Sequence, residues 1–196
     1  TWVADPAAGD IYALTVDWSA RQLYVVNYGT LDMLPPLRRR SLDAVGPWST
    51  LASAHAVTAT RDIVLTTPWD GGLLRSTDGG TTFVPVPTSF PIDASQVVFA
   101  SEATASSHRV YATYREPAGY RIVRSDDDGA TWFALPGPAL DTPLAPSLAV
   151  DAGNADRLYL VAGHGVVASS NGGASFQPLP RPTGAPAGPQ LVGPQV

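Results

Sequence analysis

Apolar residues along this chain fall in runs of four to seven, each closed by Pro, Gly, Asp or Ser, and no stretch holds the spacing of an amphipathic helix. Short apolar runs bounded by turn-forming residues are the mark of strands. The pattern predicts an all-β fold. The runs sort into four groups of four. In the first group, strands are expected at Ile11–Asp17, Gln22–Tyr28, a segment through Ser41, and Trp48–Leu51. The second runs Ala56–Thr60, Asp62–Thr67, Gly72–Ser76 and Thr82–Val86. The third has Gln96–Ala100, Arg109–Tyr114, Tyr120–Ser125 and Thr131–Leu135. In the fourth come Leu148–Asp151, Arg157–Val161, Val166–Ser169 and Ser175–Leu179. The first and last groups also share an inner hairpin: Val16-Asp17 then Gln22-Leu23-Tyr24-Val25 matches Val150-Asp151 then Arg157-Leu158-Tyr159-Leu160.

One octet punctuates three of the groups. It reads Ser76-Thr77-Asp78-Gly79-Gly80-Thr81-Thr82-Phe83, then Ser125-Asp126-Asp127-Asp128-Gly129-Ala130-Thr131-Trp132, then Ser169-Ser170-Asn171-Gly172-Gly173-Ala174-Ser175-Phe176. The shared pattern is Ser-x-(Asp/Asn)-x-Gly-x-(Thr/Ser)-aromatic. Its copies start 49 and 44 residues apart, in the range of one four-stranded propeller blade. Each residue type has a local task. Gly80, Gly129 and Gly173 supply positive φ. The Asp or Asn accepts from backbone N–H groups further along the turn. The hydroxyls of Ser and Thr satisfy further turn groups, and the aromatic ring starts the next strand in apolar packing.

These residues resemble the Asp-box, or BNR repeat, of sialidases, sortilin-type receptors, xyloglucanases and photosystem assembly factors. The resemblance implies β-propeller blades of four antiparallel strands. It places the octet between the third and fourth strands, on the outer rim and away from a central ligand face. The structural Asp-box positions are then Ser76, Asp78, Gly80, Thr82 and Phe83; Ser125, Asp127, Gly129, Thr131 and Trp132; Ser169, Asn171, Gly173, Ser175 and Phe176. Architecture follows from the resemblance, and no catalytic residue does. A degenerate copy, Ser41-Leu42-Asp43-Ala44-Val45-Gly46-Pro47-Trp48, moves the Gly by one and puts Pro where Thr belongs.

The octet spacing divides the chain into four full blades at about 11–51, 56–86, 96–135 and 148–179. Residues 1–6 and 190–196 are expected as loose strands of neighbouring blades. Thr1-Trp2-Val3-Ala4-Asp5-Pro6 parallels Thr131-Trp132-Phe133-Ala134-Leu135-Pro136, the end of the second octet. Gln190-Leu191-Val192-Gly193 lies where another first strand is due: Phe176 to Val192 spans 16 residues, against 14 from Phe83 to Val97 and 16 from Trp132 to Leu148. The expectation is a single Asp-box segment, 1–196, inside a larger propeller or completed by a partner chain. The competing expectation is coil at both ends and a closed ring of four blades.

Composition narrows the function more by exclusion than by assignment. The formal charge of −5 argues against nonspecific nucleic-acid binding. All 12 basic residues are Arg, which fits a GC-rich genome. With no Cys there is neither a disulfide nor a thiolate metal site. No run approaches the 18 apolar residues of a membrane-spanning helix. The chain does not begin with Met, which fits removal of a leader or an upstream region, and an exported bacterial protein, extracellular or periplasmic, is expected.

Candidate chemistry is sparse. Asp126-Asp127-Asp128-Gly129 has the look of a calcium loop, but Arg124 and Leu135 stand at the end positions where ligands belong. His55, His108 and His164 fall in different blades without metal-ligand spacing. Sialidase-type chemistry needs an Arg cluster and a Tyr–Glu pair, yet the two glutamates, Glu102 and Glu116, fall in expected loops, and Arg121-Ile122-Val123 lacks the Pro of the accompanying Arg-Ile-Pro element. Hydrolysis by two opposed carboxylates has Asp17, Asp70 and Asp151 as conceivable members, though Asp17 and Asp151 occupy equivalent repeat positions, which favours turns. Trp18, Trp69, Tyr28, Tyr114 and Phe90 are available as a sugar platform or as packing. The run Arg38-Arg39-Arg40, in the irregular segment Thr30–Arg40, is the possible partner contact. No cofactor, metal or catalytic residue is expected. The leading expectation is a non-catalytic scaffold, protein-interaction domain or accessory subunit, and the alternative is a fragment of a sialidase- or xyloglucanase-type glycoside hydrolase.

Overall fold

The computed structural model describes residues 10–28, 34–44, 46–68, 70–90, 98–101, 107–136, 147–151, 153–162 and 165–180. Among the described residues, sixteen strands build four antiparallel meanders of four. Blade 1 is β1 (Ile11–Asp17), β2 (Gln22–Asn27), β3 (Pro36–Ser41) and β4 (Ser49–Ser53). Blade 2 is β5 (Ala56–Thr60), β6 (Ile63–Thr67), β7 (Leu74–Ser76) and β8 (Val84–Pro85). Blade 3 contains β9 (Val98–Ser101), β10 (Val110–Glu116), β11 (Gly119–Ser125) and β12 (Phe133–Ala134). Blade 4 ends the series with β13 (Ser147–Asp151), β14 (Asn154–Ala162), β15 (Gly165–Ser169) and β16 (Gln177–Pro178).

Successive first strands stand side by side, β1 on β5, β5 on β9 and β9 on β13. Among the described residues no comparable packing joins β13 back to β1. The core lies between blades. Tyr24, Val26 and Leu37 of blade 1 pack on Ala59 and Val64 of blade 2, and Tyr111, Ile122 and Leu135 of blade 3 pack on Leu158 and Leu160 of blade 4. Residues 1–6 and 190–196, expected as loose strands, lie outside the described residues.

Fourth strands are shorter than the apolar pattern suggested. Thr82, Thr131 and Ser175 were expected inside them, but their backbone N–H groups bond the Asp or Asn of the preceding turn. Pro85 and Pro178 end β8 and β16 where Ala134 ends β12, at non-hydrogen-bonded positions that need no N–H. The next residues, Val86, Leu179 and Leu135, each donate once more to the third strand. Asp62 likewise leaves β6: Arg61 and Asp62 both turn through positive φ, at 50° and 61°.

The three octets adopt one hydrogen-bonded form. Ser76 Oγ accepts from the Gly80 N–H at 2.8 Å and donates to Asp78 Oδ1 at 2.7 Å. Asp78 in turn accepts from the Thr82 N–H at 2.9 Å and from its hydroxyl at 2.7 Å. Ser125, Asp127, Gly129 and Thr131 repeat every one of these bonds. In the last copy Asn171 accepts from the Ser175 N–H and donates its own amide to the Ser175 hydroxyl, at 3.0 and 2.9 Å. The degenerate copy keeps only its opening: the Asp43 N–H bonds Ser41 Oγ, and the Asp43 carboxylate turns outward to Arg21.

Each turn docks on the blade before it. A Cβ on Gly129 would stand 2.5 Å from Leu65 Cδ1, and one on Gly173 only 2.3 Å from Leu135 Cδ1. Both positions also need positive φ, 79° and 84°. Glycine there serves the seam as much as the turn.

Candidate functional site

The meander divides the molecule into two edges. The turns between first and second strands and the octets share one edge, and the turns between second and third strands and the links between blades share the other.

Arginines dominate the octet edge and seams. Arg39 and Tyr24, cross-strand neighbours on β3 and β2, both donate to the Gly79 carbonyl of blade 2. Arg75 Nε donates to the Asp128 carbonyl of blade 3 at 2.8 Å, and Arg124 Nη1 to the Gly172 carbonyl of blade 4 at 2.9 Å. In every case the acceptor directly precedes the octet glycine and sits at positive φ. A guanidinium on the third strand thus clamps the turn of the next blade. Sequence reasoning missed this recurrence, although Arg75-Ser76 and Arg124-Ser125 displayed it in the residue before the octet.

The candidate partner contact is therefore split. Arg38, Arg39 and Arg40 lie in strand β3 and pair with β2. Arg38 and Arg39 also pair with β4, where the register shifts between Leu37 and Arg38 and so keeps the expected irregularity of this strand. Arg39 is the first clamp, and the Arg40 guanidinium lies 4.7 Å from the ring centroid of Trp48. Arg38 projects from the opposite face to Arg39, and its buried Nε has no partner among the described residues.

The three adjacent aspartates diverge instead of converging on one cation. Asp126 pairs with Arg109 at 2.6 Å and Arg124 at 2.9 Å, which outweigh its burial and hold its carboxyl below the usual range. Asp127 closes the octet; burial opposes its ionisation, but the bonds from Thr131 and Ser125 prevail and lower it. Asp128 meets Arg61 and, at 2.6 Å, His108 Nδ1. That Arg61–Asp128–His108 group carried no recognisable sequence signal, because its members lie in two blades. No cluster of three metal-ligating side chains occurs among the described residues.

The conceivable catalytic carboxylates serve turns. Asp17 is buried and accepts from the N–H groups of Ser19, Ala20 and Asp62 and from the Ser19 hydroxyl. Burial pushes its pKa up, yet those donors outweigh burial and hold it low. Asp151, its repeat counterpart, accepts from the Gly153 N–H at 2.9 Å and faces Arg157 at 3.6 Å. Asp70 stays exposed beside the Pro68–Gly71 turn. Glu116 is the last residue of β10, not a loop residue, and it joins the Tyr114 hydroxyl to Arg121. Glu102, His164 and Trp69 lie outside the described residues.

Aromatic side chains gather at the edge opposite the octets. Tyr28 is 66% exposed, with its ring 5.1 Å from that of Tyr12, and Tyr12 in turn meets His55 edge-on at 5.8 Å. The Tyr12 hydroxyl donates to the Ala54 carbonyl at 3.0 Å, and burial, then Tyr28, push its pKa up to about 12. Tyr12 is thereby a fixed, neutral support under an open ring. Phe90 stacks on Tyr114 at 4.7 Å on the same edge, two blades away. Trp18 is exposed but sits at the octet edge, apart from both.

Comparison with known proteins settles the architecture. The structure superposes on an ancestral GH74 enzyme with a TM-score of 0.63 at 19% identity, over 89% of this chain and 24% of that one. It also matches PorZ, a bacterial surface component of the type-IX secretion system of Porphyromonas gingivalis, with a TM-score of 0.57 at 10% identity, over 87% and 21% of the two chains. The fold is that of a β-propeller. This propeller shares 35% identity over 85 residues with a xyloglucanase of Hypocrea jecorina, 43% of this chain and 10% of the relative. The chain thus spans a tenth of that relative and about a quarter of the enzyme it superposes on. No family model matches the chain.

Proposed function

We propose that these four blades are an Asp-box segment of a glycan-facing propeller of the xyloglucanase type, in an exported bacterial protein. The observation that carries this reading is the 35% identity to a xyloglucanase over 85 residues. Its support in the site is the open Tyr28 ring on its Tyr12 and His55 backing. An exposed aromatic face held by a partly buried neighbour suits a pyranose ring, whose axial C–H groups lie flat on such a surface. Neutral plant-type β-glucans also fit an edge where Glu116 is already occupied by Tyr114 and Arg121.

Tamarind xyloglucan, run in affinity electrophoresis with the complete polypeptide that contains residues 1–196, tests the reading. Retardation is expected, with Tyr28→Ala weakening it about tenfold, roughly 1.4 kcal/mol. An unretarded protein on both xyloglucan and unsubstituted β-glucan would sink it. A second reading, a scaffold or accessory subunit, is favoured by the commitment of Asp17 and Asp151 to turns. It requires a protein partner whose capture is lost on Arg38→Ser, the one member of the arginine run with an unpartnered buried atom.

A further inference from the structure

Blade 4 repeats the receiving face of blade 3, but nothing among the described residues covers it. In blade 3 the row Tyr111–Arg124 and the row Thr113–Ile122, with Leu135 after β12, form the surface on which blade 4 sits. The register of blade 4 places Tyr159–Ala168 and Val161–Val166 in the same rows. Leu179 takes the seat of Leu135, since its N–H bonds the Val166 carbonyl as that of Leu135 bonds the Ile122 carbonyl. Tyr159, Val161, Val166 and Leu179 are 37% to 49% exposed, whereas Tyr111, Thr113, Ile122 and Leu135 are 7% exposed or less.

We infer that this face is a fourth seam that receives a further four-stranded blade of the same polypeptide, with Tyr159 in the seat that Tyr111 fills in the seam before it. Three points fix the occupant. The face continues an interface that the molecule already uses, row by row. Its apolar side chains match the aliphatic underside that an arriving blade offers, as Leu148, Val150, Leu158 and Leu160 do to blade 3. Its one charged group, Arg157, stands where Arg109 reaches across the seam before it to Asp156. A second copy of the chain would instead present the outer side of blade 1, which carries Arg38 in the row of Leu14 and Val25 and Arg40 in the row of Val16 and Leu23. No carboxylate stands among Tyr159, Val161, Val166, Ala168 and Leu179 to meet those guanidinium groups.

The fourth seam differs from the other three in one respect. Ala168 stands where Arg124 stands in blade 3, so no guanidinium clamps the arriving turn. Tyr159 remains as a donor: in blade 3 the Tyr111 hydroxyl reaches across the seam to the Ala155 carbonyl at 2.8 Å.

Residues 1–196 hold no cysteine, so an introduced thiol is the only one on its own peptide, where its labelling is read by mass spectrometry. In the complete polypeptide that contains residues 1–196, Tyr159→Cys is compared with Val84→Cys, whose site on β8 is exposed. Maleimide labelling is expected to be at least about tenfold slower at position 159 than at position 84. Hydroxyl-radical footprinting of the unsubstituted protein provides a check free of any effect of substitution: Tyr159 should react as slowly as Tyr111, and Tyr28 much faster. Equal rates at 84 and 159, or a Tyr159 that reacts like Tyr28, would overturn the assignment. So would protection that disappears on dilution, which would put a second copy on this face.

Discussion

At the scale of single residues, the octet is a self-contained device whose acid dependence differs between copies. Asp78 is held near pKa 2, first by the Thr82 N–H and then by the hydroxyls of Ser76 and Thr82. Its folded value lies below its ordinary one, so its stabilising contribution is complete above about pH 4. That contribution fades as the pH falls toward 2. Asn171 occupies the same seat in blade 4 with the same N–H acceptor and no proton to gain. Asp78→Asn is therefore expected to preserve the fold and to flatten the part of the acid unfolding curve between pH 4 and 2. Carboxyl NMR titration of the parent protein should place the Asp78 midpoint near 2, and an ordinary midpoint would contradict the bonding described. Gly129 tests the other half of the device. Gly129→Ala forces a Cβ into Leu65 at positive φ and should cost at least ~1–2 kcal/mol from the backbone alone. Combining it with Leu65→Ala should recover the steric part but not the backbone part, as read from urea unfolding midpoints.

Between elements, the third-strand arginine is what joins a turn to its neighbouring blade. Arg75 offers the simplest trial, because its Nε bond to the Asp128 carbonyl has no tyrosine beside it, unlike Arg39 with Tyr24. Arg75→Met keeps the aliphatic stem and removes the donor. The expected loss is about 1–2 kcal/mol, since the acceptor is left unpaired in a partly buried seam. A denaturant midpoint unchanged within error would remove Arg75 from the seam. At this scale the sequence was a good guide to where strands run and a poorer guide to where they stop. Hydrophobic alternation placed β1, β5 and β11 within two residues of their ends. It overran β8, β12 and β16, because the N–H groups of Thr82, Thr131 and Ser175 are claimed by turn side chains rather than by a strand.

For the whole molecule, the meander puts the octets and the proposed glycan-facing aromatic group on opposite edges. Octets, clamps and the Arg61–Asp128–His108 group occupy one edge, and Tyr12, Tyr28 and His55 the other. The Tyr28→Ala substitution proposed above should accordingly weaken xyloglucan retention while leaving the melting temperature within about one degree, because an exposed ring contributes little to the core. Arg75→Met should do the reverse. A Tyr28→Ala protein that lost stability and retention together would mark Tyr28 as packing and not as platform.

The chain by itself determined the blade. Ser, Asp or Asn, Gly and Thr at fixed spacing close a turn through bonds no longer than four residues in sequence, so their chemistry is local and legible. The same is true of Asp17 and Asp151, whose equivalent places in the repeat announced their service to turns. Tertiary structure alone decided what lies between blades. Arg39 was one of three candidate contacts in a basic run until β3 was seen to carry it to Gly79, 40 residues away. His108 and Asp128 meet Arg61 only because blades 2 and 3 abut. Tyr159 and Tyr111 have the same local sequence role, yet Tyr111 is buried under blade 4 while no blade among the described residues covers Tyr159. Contacts between blades depend on the stacking of whole sheets, which no short window of residues records.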